Sequence, residues 1–176
     1  DGDIVLYWML AYRRTLDNFA LDRALAWSQE LNKPLVILEP LRLRYPWSSM
    51  RFHRFVVEGM HANAKRSERA GWTYIPYVER SDGEGKGLFA SLAAHAAVVV
   101  SDDYPCFAMP RMQAAAAKQL DARFELVDSN GDVGQVNEFV SQLFEVPGVK
   151  FTTVTTEAQC QSDAPSCSSW TFFNTM

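Results

Sequence analysis

Cysteine is scarce in this 176-residue chain, and it is unevenly placed. Cys106 stands alone in the first 130 residues, and Cys160 and Cys167 follow in the last stretch. One thiol in a domain-sized segment excludes a disulfide framework and favours a reducing, cytoplasmic setting. Cys160 and Cys167 have no histidine nearby, which is a poor zinc spacing, so no metal site is expected. No apolar run approaches the roughly 18 residues of a membrane span, so no membrane partner is expected. The chain opens Asp1-Gly2-Asp3 with no initiator Met and no basic-then-apolar leader, which reads as a fragment or trimmed form.

A net basic charge is also missing. The formal charge is −4, which argues against a free-standing nucleic-acid binder. Residues 1–130 carry 16 of the 17 basic and 16 of the 21 acidic residues and balance to zero; residues 131–176 carry one Lys, no Arg and five acids. The break divides the chain into a 1–130 α/β domain and a 131–176 acidic tail rich in Thr and Ser, expected to be partly disordered.

What is present is an alternation of strands and helices. Ile4–Met9 is a continuous apolar strand of the kind covered on both faces. A helix over Leu16–Leu31 follows, capped by Thr15 or Asp17, with Ala20, Leu21, Ala24, Trp27 and Leu31 on one face. Leu35–Leu38 is strand two. Ser48 or Ser49 opens a long helix whose stripe reads Phe52, Phe55, Val56, Gly59, Met60 and Asn63, ending at Ala70-Gly71. Trp72–Val78 is strand three, Leu88–His95 a short helix, Ala97–Ser101 strand four, Pro110–Leu120 a helix and Arg123–Val127 strand five. The pattern predicts an α/β fold, a three-layer α/β/α Rossmann-like domain on a five-stranded parallel sheet. In the tail, Val136–Phe144 reads as a short amphipathic helix, Phe151–Thr156 as strand-like, and the chain from Glu157 onward as disordered.

Several familiar chemistries lack their apparatus. No Gly-x-Gly-x-x-Gly follows the first strand, which disfavours a dinucleotide site. Gly83-Glu-Gly-Lys-Gly87 has the wrong spacing for a phosphate loop and reads as a surface turn. His53, His61 and His95 are scattered, with no carboxylate cluster or nucleophile elbow around them, so no catalytic residue is assigned. Arg13, Arg14, Arg42 and Arg44 follow strands one and two, and Asp102 and Asp103 follow strand four. All should reach the carboxyl edge of the sheet, where open α/β sheets bind ligands. A convergent basic edge there holds an anion or pairs with acids. Tyr12, Tyr45, Trp47, Tyr104 and Phe107 fall in loops at the same edge, where a flat conjugated ligand or a docked domain gives aromatics a purpose.

The wording of these segments is specific. Tyr7-Trp8-Met9 followed by Arg13-Arg14-Thr15-x-x-Asn18-x-Ala20-Leu21, the Asn32-Lys33-Pro34 lead into strand two, Arg44-Tyr45-Pro46-Trp47, Met50 to Gly59-Met60, Val98 to Pro105 and Val127-Asp128-Ser129-Asn130 together resemble the DNA photolyase family, nearest its class II branch. The similarity covers about residues 3–130. It implies a strand order 3-2-1-4-5 and the family's N-terminal domain, which in many members holds an antenna chromophore, a deazaflavin or a folate. On this resemblance the chromophore lies near Met9, Tyr12, Arg13, Arg14, Glu39, Arg42, Asp103, Tyr104 and Phe107. FAD, DNA contact and the light-driven splitting of cyclobutane pyrimidine dimers belong in the family to a C-terminal helical domain, the expected partner, which 46 tail residues are too few to form. On this resemblance a truncated, frame-shifted or misannotated gene is the expected source of the break near Gly131, and this chain alone is expected not to repair DNA. The rivals are a stand-alone nucleotide- or anion-binding module using Arg13 and Arg14, and a ligand-free remnant with an exposed apolar docking face.

Overall fold

The computed structural model describes residues 2–46, 48–129, 150–155 and 170–175. The first strand, β1 (Ile4–Trp8), is central because its residues are apolar on both faces: Val5, Leu6 and Tyr7 are fully buried. It pairs in parallel with β2 (Leu35–Leu41) on one side and β4 (Ala96–Asp102) on the other. Outside them run β3 (Thr73–Val78) beside β2 and β5 (Arg123–Val127) beside β4, both parallel. The first five strands therefore take the order 3-2-1-4-5. Two more extend the sheet beyond the expected five: β7 (Trp170–Thr175) lies antiparallel to β5, and β6 (Lys150–Thr155) antiparallel to β7.

The helices make the outer layers. The first, α1 (Phe19–Leu31), buries Ala20, Leu21, Ala24 and Trp27 against Val5, Tyr7 and Met9. The second, α2 (Met50–Ala70), meets the same side through Met60, Asn63 and Ser67. The third and fourth, α3 (Leu88–Ala93) and α4 (Met109–Ala117), cover the opposite face with Leu6, Trp8, Val99 and Phe124. On that face Trp8 stacks on Phe89, ring centres 3.9 Å apart. Each fully buried Leu or Val here contributes about 1.5–3 kcal/mol.

Local signals set most of the boundaries, and the departures have simple causes. α1 starts at Phe19 and not at Leu16. Its cap is Asn18, whose side chain accepts from the Leu21 N–H at 2.9 Å, in place of Thr15 or Asp17. Leu16 is exposed and Asp17 adopts φ +50°, so the chain turns once more before the helix begins. Ser49 caps α2, and Gly71 ends it at φ +73°, the left-handed stop that glycine tolerates without strain. β2 continues through Glu39 and Pro40 to Leu41, since β3 offers it a partner along that length. Phe52 and Phe55 of the expected α2 stripe are exposed. The tail correction is Trp170–Thr175, a strand where disorder was expected; the 136–144 helix, Trp47, Cys160 and Cys167 lie outside the described residues. Among the described residues no helix is long and apolar enough to cross a membrane.

Candidate functional site

Parallel strands end with loops whose N–H groups need acceptors, and here acids at the strand ends supply them. Asp102, the last residue of β4, is fully buried. One carboxylate oxygen accepts from three successive backbone N–H groups of the loop after β1: Leu10 at 2.8 Å, Ala11 at 2.7 Å and Tyr12 at 3.1 Å. The other accepts from the Tyr7 hydroxyl at 2.6 Å. Burial pushes the Asp102 pKa up and these four bonds pull it back. The Tyr7 hydroxyl is raised well above its ordinary value, first by burial and then by the Asp102 charge. Three N–H groups converging on one anion form the kind of nest that holds phosphate in nucleotide-binding sheets. In this protein the anion is its own carboxylate.

The same loop is held from the β2 side. Glu39 is buried and accepts from Arg13 Nη1 at 3.2 Å, Asn63 Nδ2 at 2.9 Å and the Tyr74 hydroxyl at 2.5 Å. Arg13 also donates to the Pro40 carbonyl at 2.6 Å, and Asn63 Nδ2 reaches the Arg13 carbonyl and the Met9 sulfur. Met9, Arg13 and Glu39 thus come together, in an internal network. Burial, then the hydrogen bond to Glu39, raises the Tyr74 hydroxyl. Glu79, just after β3, accepts from the Leu43 N–H of the loop after β2 at 2.8 Å and from the Gly83 N–H of its own turn at 2.9 Å. The Leu43 bond leads in lowering the Glu79 pKa, with the Arg42 charge a smaller cause. Arg42 and Arg44 are exposed.

Tyr12, Arg14, Asp103, Tyr104 and Phe107 form the second group. Tyr12 is buried although it lies in a loop, because its hydroxyl donates to Asp128 at 2.9 Å and to the Asp103 carbonyl at 3.2 Å. Burial leads in raising its pKa, followed by the Asp128 charge. The Arg14 guanidinium lies 5.6 Å from the centre of the Tyr12 ring and donates to the carbonyls of Asp17 and Ser129. Tyr104 meets Tyr12 edge-on at 6.1 Å, and Phe107 stacks with Tyr104 at 6.4 Å and 20° between planes. Phe107 is 69% exposed and has φ +61°, a conformation that costs a bulky residue about 1–3 kcal/mol. Half-buried Asp103 is pushed up to about 6 by burial and by the Asp128 charge. Asn63, Tyr74, Asp128 and Ser129 complete these groups; the sequence names none of them as a site residue. Among the described residues no three His, Cys, Asp or Glu side chains are placed to hold a metal ion.

No family model matches the chain. Over 59 residues it is 37% identical to the deoxyribodipyrimidine photo-lyase of Methanothermobacter thermautotrophicus, a stretch that is 34% of this chain and 13% of that protein. The fold is similar to that of a methyltransferase from Pyrococcus furiosus, with a TM-score of 0.52 at 12% identity over 99% of this chain and 77% of the other. At that identity the likeness shows the Rossmann-like fold alone. The sequence likeness points toward the photolyase family over one third of the chain.

Proposed function

We propose that this chain is a light-harvesting domain of the photolyase type, holding a flat chromophore, a folate or a deazaflavin, between the loops after β1 and β4. The observation that carries the reading is the aromatic step Tyr12–Tyr104–Phe107, which rises from a buried ring to an exposed one. An exposed Phe held at left-handed backbone geometry costs the free protein energy and offers a stacking face to a planar ring. Tyr104 and Phe107 would hold the ring system. Asp103, whose proton leaves near pH 6, can donate to or accept from a polar ring edge, with the Arg14 charge beside Tyr12. When bound, such a chromophore absorbs near-ultraviolet or blue light and passes the excitation to a flavin. In this reading a separate helical domain carries FAD and DNA, and the pair works in the cytoplasm as a DNA-repair lyase; the photolyase likeness supports it.

The nest filled by Asp102 counts against the rival, a nucleotide- or anion-binding module, because the fold's usual phosphate position already holds a carboxylate. The test is an absorption and fluorescence titration of the purified chain with a folate and with a deazaflavin. Saturable binding with a shifted band is expected for one of them. A folded protein that binds neither, or that binds inorganic diphosphate instead, contradicts the reading.

A further inference from the structure

α2 is longer than the sheet it packs on. Its 21 residues span about 31 Å at 1.5 Å per residue. The 7 residues of β2 span about 23 Å. The fully buried residues of α2 all lie in its later part, at Met60, Asn63 and Ser67. Before them the helix continues the same apolar side with little beneath it: Phe52 is 57% exposed and Phe55 75%.

Phe52, Phe55, Val56 and Gly59 stand at i, i+3, i+4 and i+7, the spacing of one helix face that packs against another helix. The Gly59 position is open, since a Cβ there meets nothing within 4 Å, so a partner can approach the backbone closely. Charge narrows the choice of partner. Between Glu39 and Glu58 there is no acid, while Arg42, Arg44, Arg51 and Arg54 are all exposed. Arg54 pairs with Glu58 at 2.9 Å and the Arg42 charge acts on Glu79, so the four arginines outnumber the acids beside them. Two copies of this face set against each other would oppose like charges, which disfavours a symmetric dimer. We propose that the first turns of α2 are a docking surface for an amphipathic α-helix of a different polypeptide, its apolar face rimmed with carboxylates. The inference stands on α2 and not on the antenna reading; chromophore binding can fail while docking holds, and the reverse.

The test uses the whole chain and two synthetic amphipathic helices with leucine on one face, one rimmed with glutamate and its twin with lysine. Fluorescence anisotropy at low salt should show the glutamate-rimmed helix binding at least tenfold more tightly. The double variant Phe52→Glu/Phe55→Glu should lose that binding with an unchanged circular dichroism spectrum. Arg51→Glu/Arg54→Glu, which leaves the apolar anchors in place, should turn the preference toward the lysine-rimmed helix. Equal or absent binding of the two peptides overturns the proposal, as does binding that survives both double variants. So does tighter binding of a single-stranded oligothymidylate, or dimerisation through this face in sedimentation, which makes nucleic acid or a second copy the occupant.

Discussion

The loop after β1 and the first turns of α2 both leave the carboxyl edge of the sheet, and they are built in opposite ways. The loop is polar and closed: Asp102, Glu39 and Asp128, from three different strands or strand ends, take up its N–H groups, the Arg13 guanidinium and the Tyr12 hydroxyl. The helix start is apolar and open, with Met50 84% exposed and Phe55 close behind. A carboxylate buried among donors resists rearrangement, because removing it strands several groups at once. An exposed Phe on a helix costs little to keep and much less to remove. In the proposed readings the first region is the frame on which a ligand edge would rest, and the second is the face a partner would cover.

The largest effect should come from breaking the closed region. Asp102→Ala strands three backbone N–H groups and the Tyr7 hydroxyl, and should cost about 3–5 kcal/mol in urea unfolding. A loss below about 1 kcal/mol means that water replaces the carboxylate and that the loop is not clamped. Glu39→Gln keeps the shape but turns one acceptor into a donor facing Arg13, Asn63 or Tyr74. It should cost about 1–3 kcal/mol, and an unchanged midpoint would place the Arg13 interaction outside the stability of the fold.

Asp103 sharpens the comparison through pH. Its folded pKa of about 6 lies above the ordinary value of 3.8, so the folded state holds its proton more tightly than the unfolded chain does. Ionised Asp103 therefore costs stability; the cost is absent below about pH 4, grows as pH rises and is complete above about pH 6. Asp103→Asn should stabilise by about 1 kcal/mol at pH 7.5, a figure reduced for the group's partial solvent access, and by nothing at pH 4. Equal effects at the two pH values in chemical denaturation contradict this. The smallest change is expected in the open region: Phe52→Glu and Phe55→Glu should each move stability by no more than about 0.5 kcal/mol. A loss of 2 kcal/mol or more in the thermal melt would show that these rings are packed in solution.

Much of this was legible in the residues, for physical reasons. The buried strands read directly, because a run such as Ile4-Val-Leu-Tyr-Trp8 has one stable place in a covered parallel sheet. Ser49 and Gly71 read as the ends of α2 because capping is local. The α2 stripe was misread at Phe52 and Phe55 because periodicity reports which side is apolar and not where the sheet beneath it ends. β7 was missed because strand pairing at a sheet edge is a tertiary matter that composition reflects weakly. Around the site, the loop aromatics and Asp102-Asp103 could be placed at the carboxyl edge from topology alone. The sharing of Glu39 among Arg13, Asn63 and Tyr74 could not, since it joins residues as far apart in sequence as Arg13 and Tyr74. Tyr12 looked like a ligand aromatic and is first a buried donor to Asp128.

The account turns on where a ligand meets this edge, and a fluorescence titration of the wild-type chain and Phe107→Ala with a deazaflavin and a folate asks that directly. The account predicts saturable binding by the wild type that weakens at least tenfold in Phe107→Ala, with the fold intact and with inorganic diphosphate unable to compete. Binding that ignores the loss of the Phe107 ring, or that diphosphate displaces, would contradict it and return the ligand to the loop that Asp102 now fills.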